Sequence, residues 1–195
     1  MNRETVITSN AEFTPANGVT GGSGTASSPY IISNLDLVDN GGTSISLVGA
    51  DAYVQIEDVN ICMVVLPQNT TETQTGIYLQ SASHVNVENV AIYSPSPEPV
   101  VFSATGEPEP IPVGLGVSVL SSGAVSFSEV KIVNITSGFS INSSDNARVE
   151  NSTMSYLPNR DIFAELTNDN IFEDNTMGGG NAAFQGGQNG YNFQI

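Results

Sequence analysis

Carboxylates recur at fixed places in this chain and are the first residues to ask for chemistry. Glu57-Asp58, Glu88-Asn89, Glu150-Asn151 and Glu173-Asp174 are four copies of one acidic doublet. If equivalent residues stack, carboxylates about 5 Å apart repel one another unless they are hydrated, paired or bridged by a cation. Glu57 and Glu88 are therefore candidate ligands for calcium. The simpler account is an exposed, hydrated acidic face. Hydrolysis of a glycosidic bond needs two carboxylates in one cleft. Neighbours such as Glu57 and Asp58, or Glu173 and Asp174, point different ways along a strand, so no catalytic dyad stands out.

Bases are scarce. The four cationic side chains are Arg3, Lys131, Arg148 and Arg160, against 20 Asp and Glu. Lys131 and Arg148 fall near Glu129 and Glu150, where a salt bridge between repeats is simpler than a catalytic cluster. His84, the one histidine, takes a place filled elsewhere by Pro29, Tyr53, Ala124, Asn146 and Asp169, which suggests a corner and not a ligand. Cys62 is the sole cysteine, so no internal disulfide forms. It is either a plain thiol or a covalent link between subunits. Tyr78 and Tyr93 are candidate stacking surfaces for a ligand ring. No catalytic residue is assigned.

The charge narrows the partners. A formal net charge of -16 on 195 residues repels phosphate backbones and anionic lipid, which argues against nucleic acid and membrane surfaces. No apolar run approaches the roughly 18 residues of a membrane helix, so no membrane insertion is expected. The length fits a single domain, residues 1–195, with enough hydrophobic content (39%) for a continuous core.

What must position these residues is a repeat. Val54, Ile56, Val59 and Ile61 recur as Val85, Val87, Val90 and Ile92, apolar at relative positions 0, 2, 5 and 7. Tyr30, Ile32, Leu35, Leu37 and Val125, Phe127, Val130, Ile132 fit the same frame. Ala147, Val149, Ser152, Met154 and Asn170, Phe172, Asn175, Met177 fit it more loosely. Starts at 30, 54, 85, 125, 147 and 170 are spaced by 24, 31, 40, 22 and 23 residues, so the basic unit is 22 to 24. Ahead of most copies lies a further alternating pair, such as Ile45 and Leu47 or Val117 and Val119.

Period-two alternation with no helical stretch predicts short strands. None can bury its apolar side alone, so successive copies must stack. The expectation is an all-β chain, a right-handed parallel β-helix (solenoid) of about six coils with two loop insertions. One column would be Ile56, Val87, Phe127, Val149 and Phe172; Ile61, Val90 with Ile92, Ile132, Met154 and Met177 would mark the neighbouring sheet. Position +3 holds Ser33, Glu57, Glu88, Ser128, Glu150 and Glu173, predicted outward. Position +4 holds Asn34, Asp58, Asn89, Glu129, Asn151 and Asp174, a turn ladder that tolerates left-handed backbone.

The long spacings place insertions at 63–75 and 94–112, the second carrying six of the ten prolines. Its Val100-Val101-Phe102 triplet either folds back or meets a partner. Residues 1–28 are expected to cap one end. Residues 178–195 are a Gly/Asn/Gln-rich end or a further coil, in which Phe184, Tyr191 and Phe193 continue the stack or serve assembly.

Gly21-Gly22-Ser23-Gly24-Thr25-Ala26-Ser27-Ser28-Pro29-Tyr30-Ile31-Ile32, followed by segments of the form V-x-V-E-N-V-x-I, resembles the right-handed parallel β-helix superfamily. More narrowly it is similar to the pectin-lyase-like, NosD-type carbohydrate-binding-and-hydrolysis repeats of archaeal and bacterial surface proteins. The resemblance spans roughly residues 19–180 and implies a fold more than an activity. Two functions follow as expectations. One is a non-enzymatic extracellular structural or adhesive solenoid at the cell surface, a homo-oligomer or polymer forming a layer, sheath or filament. The other is a polysaccharide-binding or polysaccharide-cleaving module. No cofactor is expected beyond calcium.

Overall fold

Runs with an apolar residue at every second position become strands, and each hydrogen-bonds to the equivalent run of the next repeat because none can bury its apolar side alone. The computed structural model describes residues 5–39, 41–64, 74–95, 100–102, 108–110, 114–157, 159–165, 167–178, 181–185 and 192–194. The chain is all-β, with two three-residue 3-10 turns, Asn10–Glu12 and Pro15–Asn17, as the helical elements among the described residues. No helix among them is long and apolar enough to cross a membrane.

Two sheets hold the chain. The first orders Thr5–Ile7, Thr43–Val48, Thr75–Gln80, Leu115–Leu120, Ser137–Asn142, Arg160–Glu165 and Asn181–Gln185. The second begins with Val19–Gly21, Tyr30–Asp39, Val54–Met63 and Ser83–Tyr93. It continues with paired pieces: Gly123–Ser128 and Lys131–Val133, Arg148–Glu150 and Thr153–Ser155, Ile171–Glu173 and Thr176–Gly178, then Asn192–Gln194. Pairing within both sheets is parallel, apart from Val19–Gly21 against Tyr30–Asp39. Parallel neighbours need a crossover, and here each crossover runs through the other sheet.

The register reproduces the frame residue for residue. Tyr30 pairs with Val54, Val54 with Val85 and Val85 with Val125, while Ser126 with Arg148 and Arg148 with Ile171 carry the same offset. The column Ile32, Ile56, Val87, Phe127, Val149, Phe172 is buried along its whole length. Across the core, Ile7, Leu47, Leu79, Val119, Ile141 and Ala164 form the matching column of the first sheet, equally buried. One hydrophobic cluster joins them, and Phe13, stacked on Tyr30 at 4.5 Å, belongs to it at the N-terminal end.

Position +4 is left-handed in all six copies, with φ between 49° and 56° at Asn34, Asp58, Asn89, Glu129, Asn151 and Asp174. Asn and Asp adopt this conformation at low cost, so the turn ladder read from composition is present in the backbone. It differs from expectation in one respect. The bend does not open a new sheet: Leu37, Ile61, Ile92, Ile132, Met154 and Met177 stay in the second sheet with the column before the bend. A single left-handed residue redirects the strand by one peptide and leaves the ladder of the first three copies continuous.

The copies that fit the frame loosely do so for a reason. Asn170 and Asn175 are buried at 1% and 5% exposure, and their amides serve backbone groups of the preceding repeat. Asn170 Oδ1 accepts the Ala147 N–H at 2.8 Å; Asn175 Oδ1 accepts the Ser152 N–H at 2.9 Å while its Nδ2 donates to the Val149 carbonyl at 2.8 Å. Ser152 Oγ accepts from the Val130 N–H, and Ser122 and Ser144 repeat the pattern at the preceding corner. Where the chain bends, N–H groups turn inward, and an apolar side chain there would leave them unpaired. Asn175→Ala is expected to cost about 2 kcal/mol by orphaning two buried groups, seen in urea unfolding and in faster exchange of the Ser152 amide hydrogen.

A glycine column was not anticipated. Gly76, Gly116 and Gly138 each lie nine residues before a frame start. A Cβ on Gly76 or Gly116 would meet the carbonyl oxygen of the next repeat at 2.7 and 2.9 Å, with Ile92 at 2.9 Å or Ile132 at 2.8 Å. On Gly138 it would sit 2.2 Å from the Asp161 carbonyl. Ser44 and Asp161 hold the same register position and carry side chains, Asp161 where the pairing with the next strand shifts register.

The second insertion contains a hairpin: Val100–Phe102 pairs antiparallel with Pro108–Pro110, Val101 lying opposite Glu109. Glu109 is the one backbone donor of its strand, since proline has none. At the other end, Phe184 takes the backbone register position after Ala164 and Phe193 that after Phe172; Tyr191 lies outside the described residues.

Candidate functional site

The second sheet carries the charged face, and the register sets which charges meet. Glu57 lies beside Glu88, and Glu150 beside Glu173, with Ser128 separating the two pairs. Arg148 bridges the second pair, its Nε donating to Glu150 Oε2 at 2.7 Å and its Nη2 to Glu173. The guanidinium pKa is raised, first by the hydrogen bond to Glu150 and then by that carboxylate's charge. A cross-repeat salt bridge therefore forms at Arg148, but with Glu173 of the following repeat and not with Glu129. In the first pair Glu88 is held by amides: Gln55 Nε2 donates to Glu88 at 3.2 Å, and Asn86 Nδ2 to Gln55 Oε1 at 2.8 Å. Among the described residues no group of three or more His, Cys, Asp or Glu is placed to hold a metal ion.

Lys131 has a different setting. It lines an open groove of about 240 Å³ with Asp58, Asn60, Asn89 and Glu129 over a floor of Val90 and Ala91. Two neighbouring columns make the walls, the left-handed one at +4 and Asp36, Asn60, Ala91, Lys131 at +6. Ala91 opens the gap, since its methyl stands between two long side chains. The walls are held in place: Asn89 Nδ2 donates to Asp58 Oδ1 at 2.6 Å, and Asn60 Nδ2 to Asp36 Oδ1 at 2.9 Å. Neither the composition nor the frame drew attention to this groove; the signal was the lone small residue in a polar column beside the only lysine.

Tyr78 and Tyr93 are not brought together. Tyr78 belongs to the first sheet, between Ser46 and Ser118, and its hydroxyl donates to Gln80 Oε1 at 2.8 Å. Tyr93 ends a strand of the second sheet, 36% exposed, in the outward column Val38, Cys62, Tyr93, Val133. Burial, followed by the Cys62 sulfur, pushes its phenol above the ordinary 10.0. The neutral phenol is thus favoured by folding, a contribution complete below pH 10 and lost as pH rises through the folded value. In an ultraviolet titration the Tyr93 phenol is expected to ionise above the ordinary 10.0. Cys62→Ala lowers its pKa without restoring the ordinary value, because burial remains. His84 stacks on Tyr53 with centroids 4.3 Å apart, and its φ of 59° makes it a corner residue, as its varied counterparts imply.

No protein family, curated protein or solved structure matches the chain.

Proposed function

We propose that the chain is a right-handed parallel β-helix of about six coils, of the pectin-lyase-like kind, and a non-enzymatic structural or adhesive element outside the cell. Its role is to assemble by adding strands end to end. The observation that carries this reading is at the sheet edges. Asn181–Gln185, Thr176–Gly178 and Asn192–Gln194 each have one strand partner among the described residues, as does Thr5–Ile7 at the opposite end. Edge strands of a parallel sheet offer unpaired N–H and C=O groups to another chain. Joining Asn181–Gln185 of one copy to Thr5–Ile7 of the next is a head-to-tail contact, which propagates into a filament. Light scattering of the purified chain at about 1 to 100 μM tests this, that range spanning ordinary association constants. Growing assemblies are expected. Of Ala182→Pro and Ala183→Pro, the one whose lost N–H faces the free edge stops the growth of the assemblies. A monomer throughout the range contradicts the proposal.

The second reading, polysaccharide binding, is favoured by the groove beneath Lys131. Amides, carboxylates and one ammonium around an apolar floor suit a sugar ring, and the surplus of acid disfavours uronates. Oligosaccharide titration followed by amide chemical shifts checks it. Ala91→Leu, which fills the gap, is expected to weaken binding of a neutral oligosaccharide at least tenfold.

A further inference from the structure

The charge on this molecule is unevenly placed. The outward face of the second sheet carries Asp36, Glu57, Glu88, Glu150 and Glu173 along its strands, with Lys131 and Arg148 as the cations among them. The first sheet, over four successive strands from Thr43–Val48 to Ser137–Asn142, contains no charged residue. Its outward residues include Tyr78, Ser118, Leu120 and Ser140, and several polar groups there bond to one another: Tyr78 to Gln80, and Asn142 Nδ2 to Ser140 Oγ at 3.0 Å. Charges enter only at the fifth strand, where Arg160 stands at one end, its guanidinium 4.3 Å from the centre of the Phe163 ring, and Glu165 at the other, while Asp161 is buried and takes no part in the outer face.

We propose that this neutral face pairs with the same face of a second copy of the chain. Two molecules of charge -16 repel, and approach through the part of the second sheet that carries Glu57, Glu88, Glu150 and Glu173 sets one carboxylate column against another, with Arg148 the one cation bridging it among the described residues. Approach through the first sheet keeps those columns on the far sides. An isologous pair with its twofold axis along the stacking direction lays each strand antiparallel over its own copy, so Arg160 of one molecule meets Glu165 of the other, twice. The two opposite charges at the ends of one strand are what such symmetry requires. Because polar groups of the face already pair within it, covering them strands fewer hydrogen-bonding groups. Five strands at about 4.8 Å make a face roughly 24 Å long, which places the contact among small, weak interfaces, with an expected dissociation constant of about 100 μM. The contact does not depend on strand addition at the ends, and in an end-to-end filament its weak units would act together.

Sedimentation equilibrium of the full chain, carrying the proline substitution that blocks end growth, tests the pairing apart from that growth. A monomer–dimer equilibrium is expected that strengthens as salt is raised, since screening relieves the repulsion between like molecules. Ser118→Glu, at the centre of the face, weakens it at least tenfold, whereas Ser126→Glu on the second sheet leaves it unchanged. Arg160→Glu weakens it, and adding Glu165→Arg restores it. The proposal is overturned by a monomer at about 1 mM, well above the expected dissociation constant. Equal weakening by Ser126→Glu, or failure of the charge swap to restore pairing, overturns it as well.

Discussion

Phe127→Ala is expected to lower unfolding free energy by about 4 kcal/mol, a large share of the roughly 5 to 15 kcal/mol that holds a domain together. The residue is fully buried between Val87 and Val149 in its column, so neighbours above and below are fixed by their own ladders and cannot collapse into the space. Its ring also meets Phe139 of the first sheet edge-on, centroids 5.3 Å apart at 72°, which makes it a contact between sheets as well as between repeats. Urea unfolding measures the loss as a shift in midpoint at constant slope. A loss under about 1 kcal/mol would mean that the column relaxes, against the close packing described.

Gly138→Ala should be nearly as damaging, at about 3 kcal/mol, although it adds only a methyl group. Its Cβ would lie 2.2 Å from the Asp161 carbonyl, a backbone atom held in the next strand, so the two repeats must separate. The same substitution at Gly116 is milder, because the backbone oxygen there stands at 2.9 Å and the closest atom, at 2.8 Å, is the flexible tip of Ile132. Thermal unfolding of the three glycine variants should rank Gly138 worst, Gly76 next and Gly116 least. A reversed order would contradict the stacking at that corner.

The alternation that placed Ile56, Val87 and Phe127 in one column was legible because burial of apolar residues is periodic in a strand and register partners repeat at the frame spacing. The left-handed column was legible too, since Asn and Asp announce the backbone they tolerate. Asn170, Asn175 and Ser152 were harder to place. Hydrophobic periodicity counts them as failures of the frame, whereas they satisfy N–H groups that turn inward at the bends. The glycines at a constant nine residues before the frame left a signal in the spacing, but a glycine reports only that something is close, not what. The groove was least legible: it depends on Ala91 being shorter than Asn60 and Lys131, residues 31 and 40 positions away that only the register makes neighbours.

The account rests on equivalent residues of successive repeats lying side by side, most tellingly across the long second insertion. Asn86 and Ser126 flank it, are register partners, and share a hydrogen bond at 2.5 Å. Oxidation of Asn86→Cys with Ser126→Cys, in a Cys62→Ser background, measures that adjacency directly, because adjacent strands about 4.8 Å apart fall within disulfide reach. An intramolecular cross-link should form readily there, and not between Gln55→Cys and Ser126→Cys, which lie two strands apart. Equal cross-linking of both pairs, or none in the first, would contradict the parallel stack.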